Sequence, residues 1–544
     1  MNQDDGHTRY DVLIVGAGIA GSALAHALST IHRPNGAQLR IALLERSLAE
    51  PDRIVGELLQ PGGVMALRQL GLESCLENID AIPCRGYCVY DNGKSVQIPY
   101  PGGHEGRSFH HGRFVMNLRG AAKKAKGVEV IEATVTDLLE DESTNRVVGV
   151  RATRKSPPSN STKPPPTEMP MIDASHESEK ETFLADLVVI SDGCFSNFRT
   201  TVLGSKVKAD TTSHFVGVVL EDAVLPIPKH GNVALVHGSG PVLLYQISER
   251  DTRMLVDVQI PLPKDLKAHI LNKVLPQLPP GIHQSIQNAL NKDRLRRMPN
   301  SFLPPIKQGS RDGKKGVVLL GDSWNMRHPL TGGGMTVALH DVVQLRELLS
   351  RVDNLSDWEG IRTLLHRWYW SRKPLSSTVN ILSVALYDLF AADDEELEIL
   401  RTGCFKYFEC GGECIDGPVS LLAGIAHSPV LLAYHFFSVA FYSIWVLFTH
   451  PRIVSTRVAA SDKSTKPQVA RVYEYPALAL KGVRTIWTAC VVFGPLLWSE
   501  IRWWAPHDHT TRFKVIMSAV LPLGLVFFGA CMGWRWIAAS GLAV

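Results

Sequence analysis

The residues best placed to do chemistry are glycines and carboxylates at the ends of apolar strands. "VGAGIAGSALA" spaces Gly16, Gly18 and Gly21 as Gly-x-Gly-x-x-Gly, directly after the strand-like "YDVLIV" and at the start of a helix-forming run. The first glycine can make the turn, the second lets the backbone approach a pyrophosphate, and the third lets helix pack on strand. Glu45 closes the next strand, "RIALLER", where a carboxylate can accept hydrogen bonds from a ribose diol. So far NAD and FAD fit equally. Two later pieces favour the longer flavin dinucleotide. "DLVVISDGCFSNFR" brings Asp192-Gly193 to a strand end, followed by Ser196 and Arg199. "GVVLLGDSWNMRHPLTGGGMTVAL" does the same with Gly321-Asp322, then enters a helix through Gly332, Gly333 and Gly334. Asp322 could bond ribitol hydroxyls. The glycine-flanked helix start could face the pyrimidine edge of an isoalloxazine, which is anionic when reduced.

Elements must hold these residues together across long stretches of chain. Buried-type strands ending in Asp-Gly or Gly-Asp recur far apart, which predicts one α/β FAD-binding domain assembled from residues 10–45, 118–205 and 309–363. Between about 206 and 308 the pattern alternates in "NVALVHG", "PVLLYQIS" and "RMLVDVQI", so a mostly antiparallel β domain is expected from 46–117 and 206–308, forming a wall of the substrate pocket. Residues 154–181, rich in Pro, Ser and charge, read as a disordered insertion.

From 364 to 544 the chain becomes helical and then very apolar. "PVLLAYHFFSVAFYSIWVLF" (429–448) has no formal charge, "IWTACVVFGPLLW" (486–498) is shorter and broken by Gly-Pro, and "VIMSAVLPLGLVFFGACMGW" (515–534) is long enough to cross a bilayer. Arg502, Arg512, Lys514 and Arg535 with the tryptophans around them resemble interface anchors. Membrane contact by this tail is expected; a buried helical core is the competing reading of the first two segments, and the number of crossings stays open.

The net charge of +4 on 544 residues, with no block of basic residues interleaved with aromatics, excludes nucleic acid as a main partner. Nine cysteines include no Cys-x-x-Cys pair; Cys84 with Cys88, and Cys404 with Cys410 and Cys414, lack zinc-site spacing, so no metal is expected. "MNQDDGHTRY" has no apolar stretch and is not a secretory signal, so the first domain should fold in the cytosol.

The three flavin motifs together resemble the flavoprotein aromatic-hydroxylase superfamily. Within it, "DRIVGELLQPGG", "FHHGRFVMNLR", "VLLYQIS" and "GDSWNMRHPLTGGGMTVAL" closely resemble the squalene epoxidase (squalene monooxygenase) family over about residues 10 to 450. The resemblance implies FAD, O2 and NADPH-derived electrons, with squalene converted to (S)-2,3-oxidosqualene for sterol biosynthesis. It places the protein on the endoplasmic reticulum membrane or lipid droplets, the catalytic domain facing the cytosol. It implies electron supply by NADPH directly or through a microsomal NADPH–cytochrome reductase; no second Gly-x-Gly-x-x-Gly is present for NADPH.

Carried over by motif, Glu45, Arg46, Arg53, Arg119, Val135, Asp322 and Met335 would contact FAD. Gln60 of "LQPGG" and Tyr87 of "GYCVYD" would be coupled beside the substrate. Tyr245, Pro329, Phe390, Phe405, Phe408, Leu421 and His435 would line its pocket. Read without the resemblance, Tyr87 is a structural tyrosine, the three phenylalanines are helix core, His435 is a core histidine, and Arg327-His328 could simply brace the flavin loop. Ser323-Trp324 departs from the family's usual Ala-Tyr.

Epoxidising an unactivated alkene needs an electrophilic oxygen, which a flavin C4a-hydroperoxide can supply, and a dry apolar pocket more than protein acids and bases. That agrees with the absence of Gly-x-Ser-x-Gly and of metal-site spacing in "FHH" (109–111). An isoprenoid reductase or desaturase, or a lipid-binding protein on the same fold, would share the flavin motifs.

Overall fold

The computed structural model describes residues 8–32, 36–91, 93–154, 180–292, 295–310, 313–391, 394–451 and 470–501. Most of the 154–181 insertion and the apolar segment 515–534 with its flanking basic residues lie outside them.

The runs "VLIV" (12–15), "IALL" (41–44) and "VVL" (317–319) are wholly apolar and buried, as strands of a sheet covered on both faces must be. They form the centre of a parallel sheet in the order 128–141, 41–45, 8–15, 180–190 and 317–319. The strand Arg146–Arg154 pairs antiparallel with both Val128–Asp141 and Lys180–Ile190. The parallel order brings the ends of four strands side by side: Val15 lies opposite Leu44 and Ile190, and Ile190 opposite Leu319. Each strand therefore delivers its terminal motif to one edge, as binding sites on open α/β sheets require. Helices Ile19–Ser29, His111–Lys124 and Gly334–Leu349 pack over this sheet through residues such as Leu24, Leu118 and Leu339.

A second sheet of seven strands runs in the order 296–302, 210–221, 251–259, 242–246, 231–234, 86–91 and 94–99. It is antiparallel except where Gly231–Ala234 pairs parallel with Gly86–Asp91. That exception joins the early chain to the later one and sets Tyr87 opposite Gly231.

Among the described residues five α-helices follow: Trp358–Ala391, Glu395–Glu409, Glu413–Leu422, Pro429–Thr449 and Tyr475–Ile501. Tyr387, Phe390 and Val419 close over one face of the second sheet against Tyr87, Leu243 and Tyr245. The expected break at Gly494-Pro495 does not occur; Tyr475–Ile501 is one helix. A proline inside a helix loses one backbone hydrogen bond and often kinks it. Here tertiary contacts hold both sides in register, with Ala489 packed on Leu400 and Ala440, and Glu500 tied to the Trp358–Ala391 helix. Among the described residues, Pro429–Thr449 is the one helix long and apolar enough to cross a bilayer. Val430, Trp445, Leu480, Val483 and Trp487 stand exposed on it and its neighbour.

The joint between helices Gly334–Leu349 and Trp358–Ala391 combines an apolar cluster of Val337, Leu375 and Val379 with a buried ion pair. Asp341 accepts from Arg372 Nε and Nη2, both at 2.7 Å, and both side chains are almost wholly buried. Arg372 also lies over the Trp324 ring, 4.3 Å from its centroid, which gives the departure at Trp324 a packing role. Breaking such a pair strands the other charge and costs about 3–5 kcal/mol. Asp341→Asn should therefore lower unfolding stability by that amount in denaturant titrations. Asp341→Asn combined with Arg372→Met should recover much of it.

Candidate functional site

A cavity of about 420 Å³ lies where the two sheets meet. One wall is the strand-end edge, with Gly18, Gly193, Gly321 and Asp322. The opposite wall comes from the second sheet and includes Tyr87, Leu243, Tyr245 and Leu255. The segment 326–335 crosses between them, contributing Arg327, Pro329, Gly332, Gly334 and Met335.

Glycine is required at the edge for two different reasons. A Cβ at Gly16 would sit 2.5 Å from Ser191 O, and one at Gly21 only 2.0 Å from Gly16 O, so both are packing positions. A Cβ at Gly18, Gly193 or Gly334 would meet nothing within 4 Å: these face open space. Gly332 has φ +62°, a left-handed turn that ends the short helix Pro329–Thr331 before Gly333 caps the next helix.

Around this edge the charged side chains are half-buried or buried. Glu45 accepts a 2.8 Å hydrogen bond from Ala17 N inside the glycine turn. Arg119 stands 3.6 Å from Glu45 and donates to the carbonyls of Ala17, Ser47 and Ala49. Arg53 lies 3.7 Å from Asp322. Arg199 clamps the two Asp-containing turns together by donating to Gly193, Cys194, Asp322 and Ser323 carbonyls. Burial raises Asp192 above the ordinary carboxylate range. Two buried polar atoms here, Arg53 Nε and Asp192 Oδ1, have no protein partner. Arg46 is exposed at the end of its strand, and Val135 is half-buried on the long strand 128–141.

The second wall is organised by hydrogen bonds to one backbone oxygen. Gln60 Nε2 donates to Thr331 O at 2.9 Å and Tyr87 hydroxyl donates to the same oxygen at 3.2 Å. Tyr100 hydroxyl donates to Gln60 Oε1 at 2.5 Å. Gln60 and Tyr87 thus meet at Thr331 O on the glycine loop, with Tyr100 as an additional member. Burial raises the pKa of Tyr87, Tyr100 and Tyr245, which keeps all three hydroxyls protonated. Tyr245 donates to Glu57 at 3.2 Å, and Arg253 grips Glu57 with two bonds of 2.8 Å. Burial pushes Glu57 up while Arg253 opposes it.

The remaining expected pocket residues divide. Pro329 lines the cavity. Phe390, Phe405 and Phe408 sit in the apolar cluster behind Tyr87 and Tyr245 rather than on the cavity wall itself. Leu421 packs farther back with Ile381 and Leu432. His435 is buried against Tyr407, whose hydroxyl is 3.0 Å from His435 Nδ1, in the same helical layer. No metal-ligating cluster exists among the described residues, and the described cysteines are all free.

Sequence reasoning missed Tyr100 and the Glu57–Arg253 pair. The only available signal for Glu57 was a carboxylate inside the apolar "VGELLQ"; Tyr100 offered none. Arg327 had been read only as a possible brace. It is buried at 8% exposure, donates to Asn380 Oδ1 at 2.8 Å and Asn325 Oδ1 at 2.6 Å, and reaches Gly333 O at 3.4 Å. Burial and the neighbouring Arg372 lower its pKa to about 10, so it remains charged at neutral pH.

Solved structures with this fold are flavoproteins. A probable FAD-dependent monooxygenase from Pseudomonas aeruginosa superposes with TM-score 0.56, covering 70% of this chain and 97% of that one at 19% identity. The p-nitrophenol 4-monooxygenase of Pseudomonas putida DLL-E4 superposes with TM-score 0.57, covering 79% and 98% at 16% identity. The fold is therefore that of the FAD-dependent monooxygenases.

A family model described as squalene epoxidase matches residues 184–460. The squalene epoxidase of Aspergillus fumigatus is 43% identical over 511 residues, 91% of this chain and 94% of that protein. Mouse squalene monooxygenase is 41% identical, over 91% of this chain and 78% of that protein. The chain belongs to the squalene epoxidase family.

His111 gives the site a pH signature. It lines the cavity, and burial with Arg53 nearby lowers its pKa from 6.5 to about 4. Its Nδ1 is 2.8 Å from Gly56 O, where a neutral imidazole N–H can donate. The unfolded chain takes up this proton near pH 6.5 and the folded one only near 4, so the contribution is complete above 6.5 and lost as pH falls towards 4. It is worth about 3 kcal/mol. His111→Gln, which keeps a donor but cannot titrate, should show that much less stability loss between the two pH values in denaturant unfolding.

Proposed function

We propose that the protein is an FAD-dependent monooxygenase that epoxidises squalene to 2,3-oxidosqualene, using O2 and electrons from NADPH. The observation that carries this reading is the single cavity with two unlike walls, one a dinucleotide-type glycine edge and the other apolar and aromatic, in a chain of this family.

The residues fit FAD. Gly18, Gly193 and Gly334 leave open space where a backbone must approach a ligand, and Arg53 Nε and Asp192 Oδ1 are buried polar atoms awaiting partners. Gly16, Gly18 and Gly21 would admit the pyrophosphate, and Glu45 with Arg46, Arg119 and Val135 would hold the adenosine half. Arg53, Asp192, Gly193, Gly321 and Asp322 would hold the ribityl chain, and Gly332, Gly333, Gly334 and Met335 would border the ring. When bound, FAD supplies O2 activation and electron storage.

The chain's own part is to bind, orient and exclude water. Gln60, Tyr87 and Tyr100 fix the glycine loop through Thr331 O, so the loop and the substrate wall keep one spacing. The Gln60 amide and the two tyrosine hydroxyls are consumed by these bonds, so the side chains would present carbon rather than protons to the alkene. Tyr245, tied down by Glu57 and through it Arg253, would do the same from strand 242–246, two strands away in the same sheet. Phe390, Phe405 and Phe408, with Leu421 and His435 farther back, form the apolar layer behind this wall, and substrate lining by them would need the cavity to extend towards the helices, where a C30 hydrocarbon could enter from lipid. The exposed Trp445, Leu480, Val483 and Trp487 form the surface that would meet the membrane, that of the endoplasmic reticulum or a lipid droplet. Electrons would arrive by transient docking of NADPH or from a microsomal-type reductase.

Detergent-solubilised protein incubated with squalene, FAD, NADPH, a microsomal reductase and ¹⁸O2 should give a mono-oxygenated C30 product carrying one heavy oxygen by mass spectrometry. NADPH consumption yielding only peroxide would mean that squalene is the wrong substrate.

A further inference from the structure

The cavity is lined by a buried cation that has no carboxylate among its hydrogen-bond partners; Asp322, Asp341 and Glu500 favour its charge only through space. Arg327 lines it beside Gly332, Gly334 and Met335. Its hydrogen-bond partners are all uncharged: the side-chain oxygens of Asn325 and Asn380, and the carbonyls of Asn325 and Gly333. The surrounding charges are already engaged. Asp341 is taken by Arg372, and Glu500 by Lys373 at 3.0 Å. Asp322 faces Arg53. Glu500 also accepts from Asn380 Nδ2 at 3.0 Å, so Asn380 links the last described helix to Arg327 without bringing a carboxylate to it. Around Arg327 the cluster thus holds three cations, Arg327, Arg372 and Lys373, against Asp341 and Glu500.

An uncompensated charge removed from water is costly, and a merely structural brace at this position could be neutral. The arrangement makes sense if an anion completes it. The helix Gly334–Leu349 points its N-terminal N–H groups into the same space, adding positive potential.

We propose that Arg327 is the counter-charge for the flavin ring in its reduced, anionic form, held in place by Asn380 and the glycine loop. This rests on the FAD reading above and deepens it, because it assigns the charge to the ring rather than to the phosphates. The glycine edge at Gly16–Gly21 lies on the other wall, whereas Arg327 reaches the carbonyl of Gly333 in the loop itself. A neighbouring cation favours any flavin state that carries negative charge on the ring, so it raises the reduction potential and strengthens sulfite addition at N5.

Sulfite titration of the oxidised, FAD-loaded protein in detergent reads this without turnover, and dye-coupled photoreduction reads the potential. Arg327→Met should bind sulfite about tenfold more weakly or worse, and its potential should become more negative. Arg327→Lys, which keeps the charge, should retain most of both. Glu500→Gln removes a negative charge from the same cluster without touching Arg327, so it should shift sulfite affinity and potential the opposite way. Should Arg327→Met fail to retain FAD, the other two variants decide: unchanged or weakened sulfite binding in Glu500→Gln, or a loss in Arg327→Lys, overturns the proposal. Folded, loaded Arg327→Met with wild-type sulfite affinity overturns it too, as does weaker FAD binding with unchanged sulfite affinity, which would place the charge at the phosphates. Failure of the wild-type protein to bind FAD at all would overturn the functional reading as well, and is told apart by its lack of flavin absorbance.

Discussion

Between Leu320 and Met335 the backbone leaves the parallel sheet, crosses the cavity and enters a helix, and its polar groups are held from three directions. Arg199 holds the start by donating to the carbonyls of Asp322 and Ser323. Gln60 and Tyr87, from the other wall, hold Thr331 O. Arg327 and Asn380 hold the middle to the long helix. A segment fixed in this way cannot slide toward one wall without losing bonds to the other. The width of the cavity follows from that constraint.

Much of this holding is done by buried polar groups, each of which would be destabilising alone. Glu57 with Arg253, Asp341 with Arg372, and Glu500 with Lys373 are pairs in which removing one member strands the other. Their value is geometric. Paired charges tolerate little displacement, so two sheets of different character and a helical layer keep a single arrangement around an otherwise soft apolar space. Arg327 is the exception to the pairing among these groups, and it lines the cavity.

Local pattern made the strands, the glycine turn and both strand-end acidic motifs legible in the sequence, because each depends on residues within a few positions of one another. Gly18 and Gly334 face open space, whereas Gly16 and Gly333 are packing positions set by Ser191 and Val379, and Gly21 packs on the Gly16 carbonyl in keeping with the helix-on-strand role its spacing suggests. What spacing could not show was the pairing of distant residues. Tyr100 with Gln60, and Arg253 with Glu57, are joined only by the folded topology. The Gly494-Pro495 step was misread for a related reason, since tertiary contacts on both sides kept the helix continuous. The coupling of Gln60 and Tyr87 entered through family likeness alone; no periodicity would have placed both on Thr331 O.

The account turns on one claim, that the flavin edge and the apolar wall border the same space. Titrating squalene, the proposed substrate, into the oxidised FAD-loaded protein under anaerobic conditions tests it directly, with the flavin absorption spectrum as the readout. A saturable spectral perturbation that tracks squalene binding is the predicted result. Squalene binding established independently, with no change in the flavin spectrum, would contradict a shared cavity.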